Sequence, residues 1–455
     1  RGPHPRCRVG RRRLGSSSRR RGVCPGDSPV IVVVEVLAGI VFFGLIILSV
    51  LLHECGHFIP AKIFGVKVTE FFAGFGPKIW SFTRGETEYG FKWIPLGGYV
   101  RLIGMYPAKV HHRHSNRLTR FADEARVAEV EGITDADQGR LFSDKPVWQR
   151  LIILSGGILT NLLLAFLLFW AVFGIHGRAD QTTTVAAVTP CAHSAQTSGP
   201  CSKEDRRAPA AEAGVRAGDR IVSFNGRQVD SWSQLQEFIR GNGGGEVRLG
   251  VERDGAFVSL TPTHTLLTKV PDLSTPGRTV EAGYLGVSPT MVIVHSGPGD
   301  TVSQMWTMSK QSLSALARLP VLTWNVASDL VTGQARDANS PMSIVGASRV
   351  AGDVAGDSQL TLGDKIATGA SLLGGLNLFL FWFNVVPLPP MDGGHIAGAI
   401  YEAGKRGLFK LARKPDPGPA DTAMMLPVAW TIGALMLMMG LVLVVADVVS
   451  PVKIF

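Results

Sequence analysis

The stretch Val30–His57, VIVVVEVLAGIVFFGLIILSVLLHECGH, decides the fold. Its first 23 residues, Val30–Leu52, are apolar with Glu35 as an interruption near the start. A helix needs about 20 such residues to cross a bilayer. The core of a cleaved signal peptide is the competing reading, but it is shorter, about 7–15 residues. The run then closes on His53-Glu54-Cys55-Gly56-His57. In a helix His53 and His57 stand four residues apart, so both imidazoles project from one face toward one ion. Two histidines and a glutamate are costly at the end of a membrane span unless they have work to do.

That work is metal chemistry. A catalytic zinc takes three protein ligands and keeps a position open for water, whose proton a neighbouring carboxylate can accept. Glu54 is placed for this role. Cys55 is two residues from His53, so its side chain points away from the ion and packs. The third ligand has to come from elsewhere, and Asn384-Val-Val-Pro387-Leu-Pro-Pro-Met-Asp392-Gly393-Gly394-His395 offers it. Prolines break a helix and glycines let the chain turn tightly. Irregular backbone at membrane depth is tolerated only where it is buried in protein or lines a wet cavity. Asp392 at such a break is the natural carboxylate ligand, with His395 as its rival.

Three further runs are long enough to span: Leu151–Ile175, Ile366–Val386 and Pro427–Val449. Charged residues make up only 18% of the 455, which fits lipid exposure and excludes a disordered chain. The net charge of +10 suggests nucleic acid until it is mapped. Residues 1–28 hold nine arginines against Asp27 and so carry +8 of it. No aromatic residue interleaves those arginines for base stacking, and no nucleic-acid partner is expected. The first methionine is Met105, and the arm is expected to be disordered or non-native. Loop 59–150 carries 14 Lys and Arg against 10 acids, and 176–365 carries 17 against 18. By charge the first loop stays cytosolic and the second lies outside, while the basic arm argues the opposite way. Cys191 and Cys201 are close enough in sequence to pair in an oxidising space, or else are two free thiols.

These motifs together resemble the site-2 protease family of intramembrane zinc metallopeptidases. The likeness runs on through Phe64-Gly-Val-Lys-Val68, Phe72-Ala-Gly-Phe-Gly-Pro77 and Tyr89-Gly-Phe-Lys-Trp-Ile-Pro-Leu-Gly-Gly-Tyr-Val100. Ser155-Gly-Gly-Ile-Leu-Thr-Asn161 and Ser340-Pro-Met-Ser-Ile-Val345 continue it, the latter with serine where the family has glycine. Among the branches it is similar to the bacterial RseP-type enzymes, in the actinobacterial form with one PDZ domain. The resemblance implies one Zn2+ per chain on His53, His57 and Asp392, with Glu54 as general base. It implies substrate contacts from Asn384, Pro387 and Asn161, and from Gly97 and Gly98 in a hairpin that pairs with the unwound substrate. The implied substrates are single-span membrane proteins, especially anti-sigma factors, and signal-peptide remnants.

Residues 183–264 read as a soluble module. Gly218-Asp-Arg-Ile-Val-Ser-Phe-Asn225-Gly226-Arg-Gln-Val229 alternates into an Asn-Gly turn, Ser231–Arg240 is an amphipathic helix, and Glu246–Leu260 gives two more strands. The pattern is similar to PDZ domains, which take an extended peptide as an added strand. The plainer reading is a β-rich spacer. Val302–Leu330, with Trp306 and Trp324, is either an interfacial helix or a core helix. His111, His112 and His114 read as a solvated loop, and Glu35 and Asp447 as side chains that snorkel to the interface.

The expectation is therefore a polytopic α-helical membrane protein with about four transmembrane helices, a membrane re-entrant β-hairpin and an inserted α+β PDZ domain. Its parts are a basic arm (1–28), transmembrane helix 1 (29–58), a cytosolic-side loop (59–146) with the hairpin at about 86–104, and helix 2 (147–176). There follow the PDZ domain (183–264), a linker with the amphipathic segment (265–365), helix 3 with Asp392 (366–399) and helix 4 (427–449). It would sit in a bacterial cytoplasmic membrane, PDZ outside and active site near the cytosol. A non-catalytic PDZ-bearing adaptor with structural zinc and a transporter are the alternatives. Structural zinc sites are usually closed by four Cys or His, unlike this set.

Overall fold

The computed structural model describes residues 29–105, 137–192, 201, 206–271, 279–334, 336–337, 340–418 and 422–452. The basic arm and the His111–His114 cluster lie outside these. The described residues form two compact units: those up to Val172 joined by those from Pro298 onward, and those within Phe173–Gly297.

In the first unit α1 runs Pro29–Ile63, so the apolar run and the histidine motif share one helix. Pro60 lies inside it and cannot donate to the carbonyl of Gly56. That carbonyl faces α2 (Val147–Ala171) instead, at Gly156. A Cβ on Gly156 would stand 1.8 Å from the Gly56 oxygen, so the two helices touch backbone to backbone and only glycine fits. Strands β1 (Val68–Arg84) and β2 (Thr87–Leu102) form an antiparallel hairpin around Gly85-Glu86, with Gly85 at φ +66°. The hairpin therefore starts well before the expected 86–104. The Phe72–Pro77 segment is part of β1, bent where Gly74 and Gly76 take φ +89° and +87°.

The later elements are α3 (Pro298–Thr332), α4 (Ile344–Gly356), α5 (Leu362–Val385), α6 (Asp392–Leu411) and α7 (Leu426–Val449). Thr361 and Asp364 cap α5 reciprocally. Four helical stretches are long and apolar enough to cross a membrane: Pro29–Ile63, Val147–His176, Leu362–Val385 and Ala423–Val449. The third expected span, 366–399, is corrected: α5 stops at Val385 and Asp392 opens a separate helix after a proline-rich turn. The stretch 265–365 is no linker, since it contains α3, α4 and strands of the second unit. Helix α3 buries Thr301, Met305, Ser309, Thr323 and Val326, the last against Leu443 and Ala446 of α7, while Trp306 and Trp324 stay exposed. One helix thus has a packed face and an apolar exposed one.

Asp447 does not snorkel. It is buried, accepts from Arg336 Nη1 at 2.7 Å and from the Ser343 amide at 2.6 Å, and so ties the start of α4 to α7. The Ser340–Val345 motif supplies the cap: Ser343 Oγ accepts from the amides of Val345 and Gly346.

The second unit is a six-stranded sheet with β3 (Arg178–Val188), β4 (Arg220–Phe224), β5 (Leu249–Arg253), β6 (Ala256–Ser259) and β7 (Val287–Val294) in the order β6-β5-β4-β3-β7. Arg227–Gln228 pairs with β4. The turn between them has Asn225 at φ +50° and Gly226 at +77°, the two positive angles that an Asn-Gly hairpin turn requires. Helix Trp232–Gly241, capped by Ser231, packs Trp232, Leu235 and Ile239 into a core with Ile221, Leu249 and Val251. The sheet extends beyond 183–264 on both sides. Cys191 and Cys201 form a disulfide.

Candidate metal centre

Three side chains converge where α1 meets α2 and the start of α6. His53 Nε2 and His57 Nε2 are 3.3 Å apart, and Asp392 Oδ2 lies 3.4 Å from the first and 3.2 Å from the second. Among the described residues this is the group of His, Cys and acid side chains that could hold a metal ion. Zinc bound tetrahedrally at about 2.0–2.1 Å puts its ligands about 3.3 Å apart, so the triangle has the size that zinc needs. Asp392 Oδ2 is buried without a hydrogen-bond partner. Two imidazole Nε2 atoms and a carboxylate oxygen face one another, and a cation at their centre would satisfy all three. The donor set therefore fits zinc.

His57 and Asp392 are each held from behind. His57 Nδ1 donates to the Ile153 carbonyl on α2 at 2.8 Å, which leaves Nε2 for the ion. Gly157, one turn on from Ile153, gives the ring its room: a Cβ there would lie 2.2 Å from His57 Nε2. Asp392 occupies the first turn of α6, and the turn before it is tight. A Cβ on Gly393 would meet the Val386 carbonyl at 2.3 Å, and one on Gly394 would meet Pro389 N at 2.6 Å. Further along, α6 is braced to α2. Glu402 receives both Arg150 Nη1 at 3.1 Å and Nη2 at 2.5 Å, with both side chains buried. This pair was invisible in the sequence, where its members are 252 positions apart.

Glu54 follows His53 and is half-buried against β2, where a Cβ on Gly98 would lie 3.0 Å from Glu54 Cγ. Gly97, at φ +145°, faces the Phe75 ring. The structure thus brings Gly98 to Glu54. Asn161 is on the buried stripe of α2. Asn384 is half-buried in the last turn of α5, and Pro387 is exposed in the turn that leads to Asp392. His395 is outside the converging trio. It lines a cavity of about 550 Å3 with Pro390 on one side and Met425, Ala429, Trp430 and Gly433 on the other. Cys55 is a half-buried free thiol.

The model of peptidase family M50 matches residues 41–413. The chain is 32% identical over 431 residues to zinc metalloprotease Rip1 of Mycobacterium tuberculosis (strain ATCC 25618 / H37Rv), covering 92% of this chain and 99% of that one. It is 31% identical over 436 residues to Rip1 of Mycolicibacterium smegmatis, covering 92% and 98%. Against metalloprotease MmpA of Caulobacter vibrioides the identity is 30% over 383 residues, covering 79% and 85%. A match across so much of the chain, to zinc metalloproteases that it covers nearly end to end, makes it a member of peptidase family M50, an intramembrane zinc metalloprotease of the site-2 type.

Proposed function

We propose that His53, His57 and Asp392 hold the zinc, that Glu54 is the general base, and that the enzyme cuts single-span membrane proteins within their transmembrane segments. The observation that carries this is the triangle of ligand atoms at the end of a helix apolar enough to span a bilayer. Zinc bound there supplies a Lewis acid and makes a bound water acidic enough to attack near neutral pH. Glu54, adjacent to His53 and lodged against Gly98, accepts the proton of the attacking water and returns it to the leaving amine.

A peptide bond inside a helix is shielded by its own hydrogen bonds, so the substrate must be extended first. The β1–β2 hairpin suits this as a re-entrant element that adds the unwound segment as a strand, with Gly97 and Gly98 leaving space beside the base. Its exposed Phe75, Trp80, Phe91 and Trp93 favour contact with lipid. Asn384 and Pro387, next to the turn that carries Asp392, would hold the substrate backbone. The second unit, with its strand-helix-strand core and Asn-Gly turn, is read as the PDZ domain. Its disulfide favours the extracytoplasmic side of a bacterial cytoplasmic membrane, with the metal near the cytosol. Anti-sigma factors and signal-peptide remnants are the substrates of choice. An adaptor with structural zinc is disfavoured by a ligand set of two His and one Asp beside a carboxylate base.

Glu54→Gln tests the reading. The variant should keep zinc and lose cleavage of a reconstituted single-span substrate, and its membranes should accumulate uncut substrates relative to wild type. Undiminished cleavage by the variant refutes the role of Glu54.

A further inference from the structure

We propose that Asn161 is a positioning residue for the metal centre: its side-chain oxygen accepts the Nδ1–H of His53 and so fixes the tautomer that turns Nε2 to the zinc. The proposal rests on His53 being a zinc ligand, and it replaces the substrate contact that the family likeness implies for Asn161.

A metal-binding histidine almost always gives its second ring nitrogen to an acceptor. His57 does so through Ile153, whereas His53 Nδ1 is buried without a partner. Asn161 is 1% exposed, and its Oδ1 is buried without a partner too. Helix register brings the two to one level. Along α1 toward its start, Ala61 clusters with Ile153 and Leu154, Pro60 abuts Gly156, and Gly56 abuts Gly156 and Thr160. The helices are therefore antiparallel. His57 faces Ile153 and Gly157, so one turn back on α1 is His53 and one turn forward on the same buried stripe of α2 is Asn161.

A second donor without a partner reaches the same level from α5. Trp382 Nε1 is buried and unpaired. Helix α5 runs parallel to α1, since Phe42 and Ile46 pack with Leu373 and Ser49 bonds Asn377. It is therefore antiparallel to α2, where Gly374 rests on Phe169. Eight residues on from Gly374 is Trp382, and eight back from Phe169 is Asn161. A carboxamide oxygen has two lone pairs and can serve both donors. The link to His53 is made by rotation of the carboxamide or through one bridging water, since both atoms stand without a partner.

The test uses the full chain in detergent, loaded with zinc, and follows metal loss to a chelator. Asn161→Leu keeps the volume and removes the acceptor, and should weaken zinc retention about 10–100-fold. Asn161→Asp keeps an acceptor oxygen and should restore most of it. The visible spectrum of the Co2+-substituted protein should change in the leucine variant and return in the aspartate variant. Should leucine prevent folding, Asn161→Ala carries the same expectation. Wild-type zinc retention in the acceptor-less variants, with only KM for a transmembrane substrate raised, overturns this inference and restores the substrate contact. A wild-type chain that holds no zinc overturns the ligand assignment, and this inference with it.

Discussion

Gly157→Ala puts one methyl group where the metal centre has no room for it. The new Cβ would stand 2.2 Å from His57 Nε2 and 2.7 Å from two ring carbons. Ordinary contact is about 3.5 Å, so ring and helix must part by about 1.3 Å. The ring cannot swing away alone, because its Nδ1 is tied at 2.8 Å to Ile153 on the same face of the same helix. Nor can α2 retreat without giving up the Gly56–Gly156 contact. A metal site tolerates ligand shifts of about 0.2 Å, and a misplacement of about 1 Å costs about a hundredfold in rate. Overpacking costs about 1–3 kcal/mol, of which alanine's helix preference over glycine returns up to about 1 kcal/mol. The variant should therefore fold, hold zinc poorly and cleave a liposome-reconstituted substrate at about one hundredth of the wild-type rate or less. Gly369→Ala on α5, where a Cβ meets nothing within 4 Å, is the matched control and should keep both zinc and rate. A Gly157→Ala enzyme with wild-type zinc content and activity would refute the geometry of the site.

The brace behind Asp392 gives a second prediction. Glu402→Gln strips the buried Arg150 of its counter-charge and should cost about 3–5 kcal/mol, whereas the double change Arg150→Met, Glu402→Leu should be nearly neutral, as thermal unfolding in detergent will report. The second unit gives one in pH. Arg253 Nε and Nη2 both donate to Asp219 at 2.7 Å, and the guanidinium holds that carboxyl below its ordinary range, helped by the Arg216 amide. A depressed folded-state pKa stabilises above the unfolded value of about 3.9 and loses that stabilisation as pH falls through the folded value. The gap in unfolding temperature between wild type and Arg253→Met should thus be full at pH 6 and shrink below about pH 4. A gap that stays constant across that range contradicts the assignment.

The proposed zinc ligands are legible in the sequence because their chemistry is local. His53 and His57 sit one turn apart, and Asp392 announces itself at a break in an apolar run. What failed to show was whatever depends on pairing across the fold. Asp447 reads as a snorkelling acid until Arg336 and the Ser343 amide, more than a hundred positions away, are found on it. The Phe72–Pro77 glycines stand out in the sequence only by likeness, yet Gly74 and Gly76 bend a strand whose partner supplies the hydrogen bonds. The Ser155–Asn161 motif was recognised by likeness. Its physical reason came only from the crossing, where Gly156 meets a carbonyl freed by Pro60 and Gly157 makes way for a histidine ring.

That crossing also constrains how the enzyme moves. With Gly56 and Gly156 in backbone contact and His57 bonded across the same seam, α1 and α2 form a closed wall of the molecule. Parting the two helices would break the Gly56–Gly156 contact and the His57–Ile153 bond together, so for a site built as proposed this wall is the costly side to open. The side where Pro390 and His395 face Ala429 and Gly433 of α7 is built the other way, around empty volume. His53 and His57 belong to the closed wall, and of the three proposed zinc ligands only Asp392 stands on the segment that lines that volume.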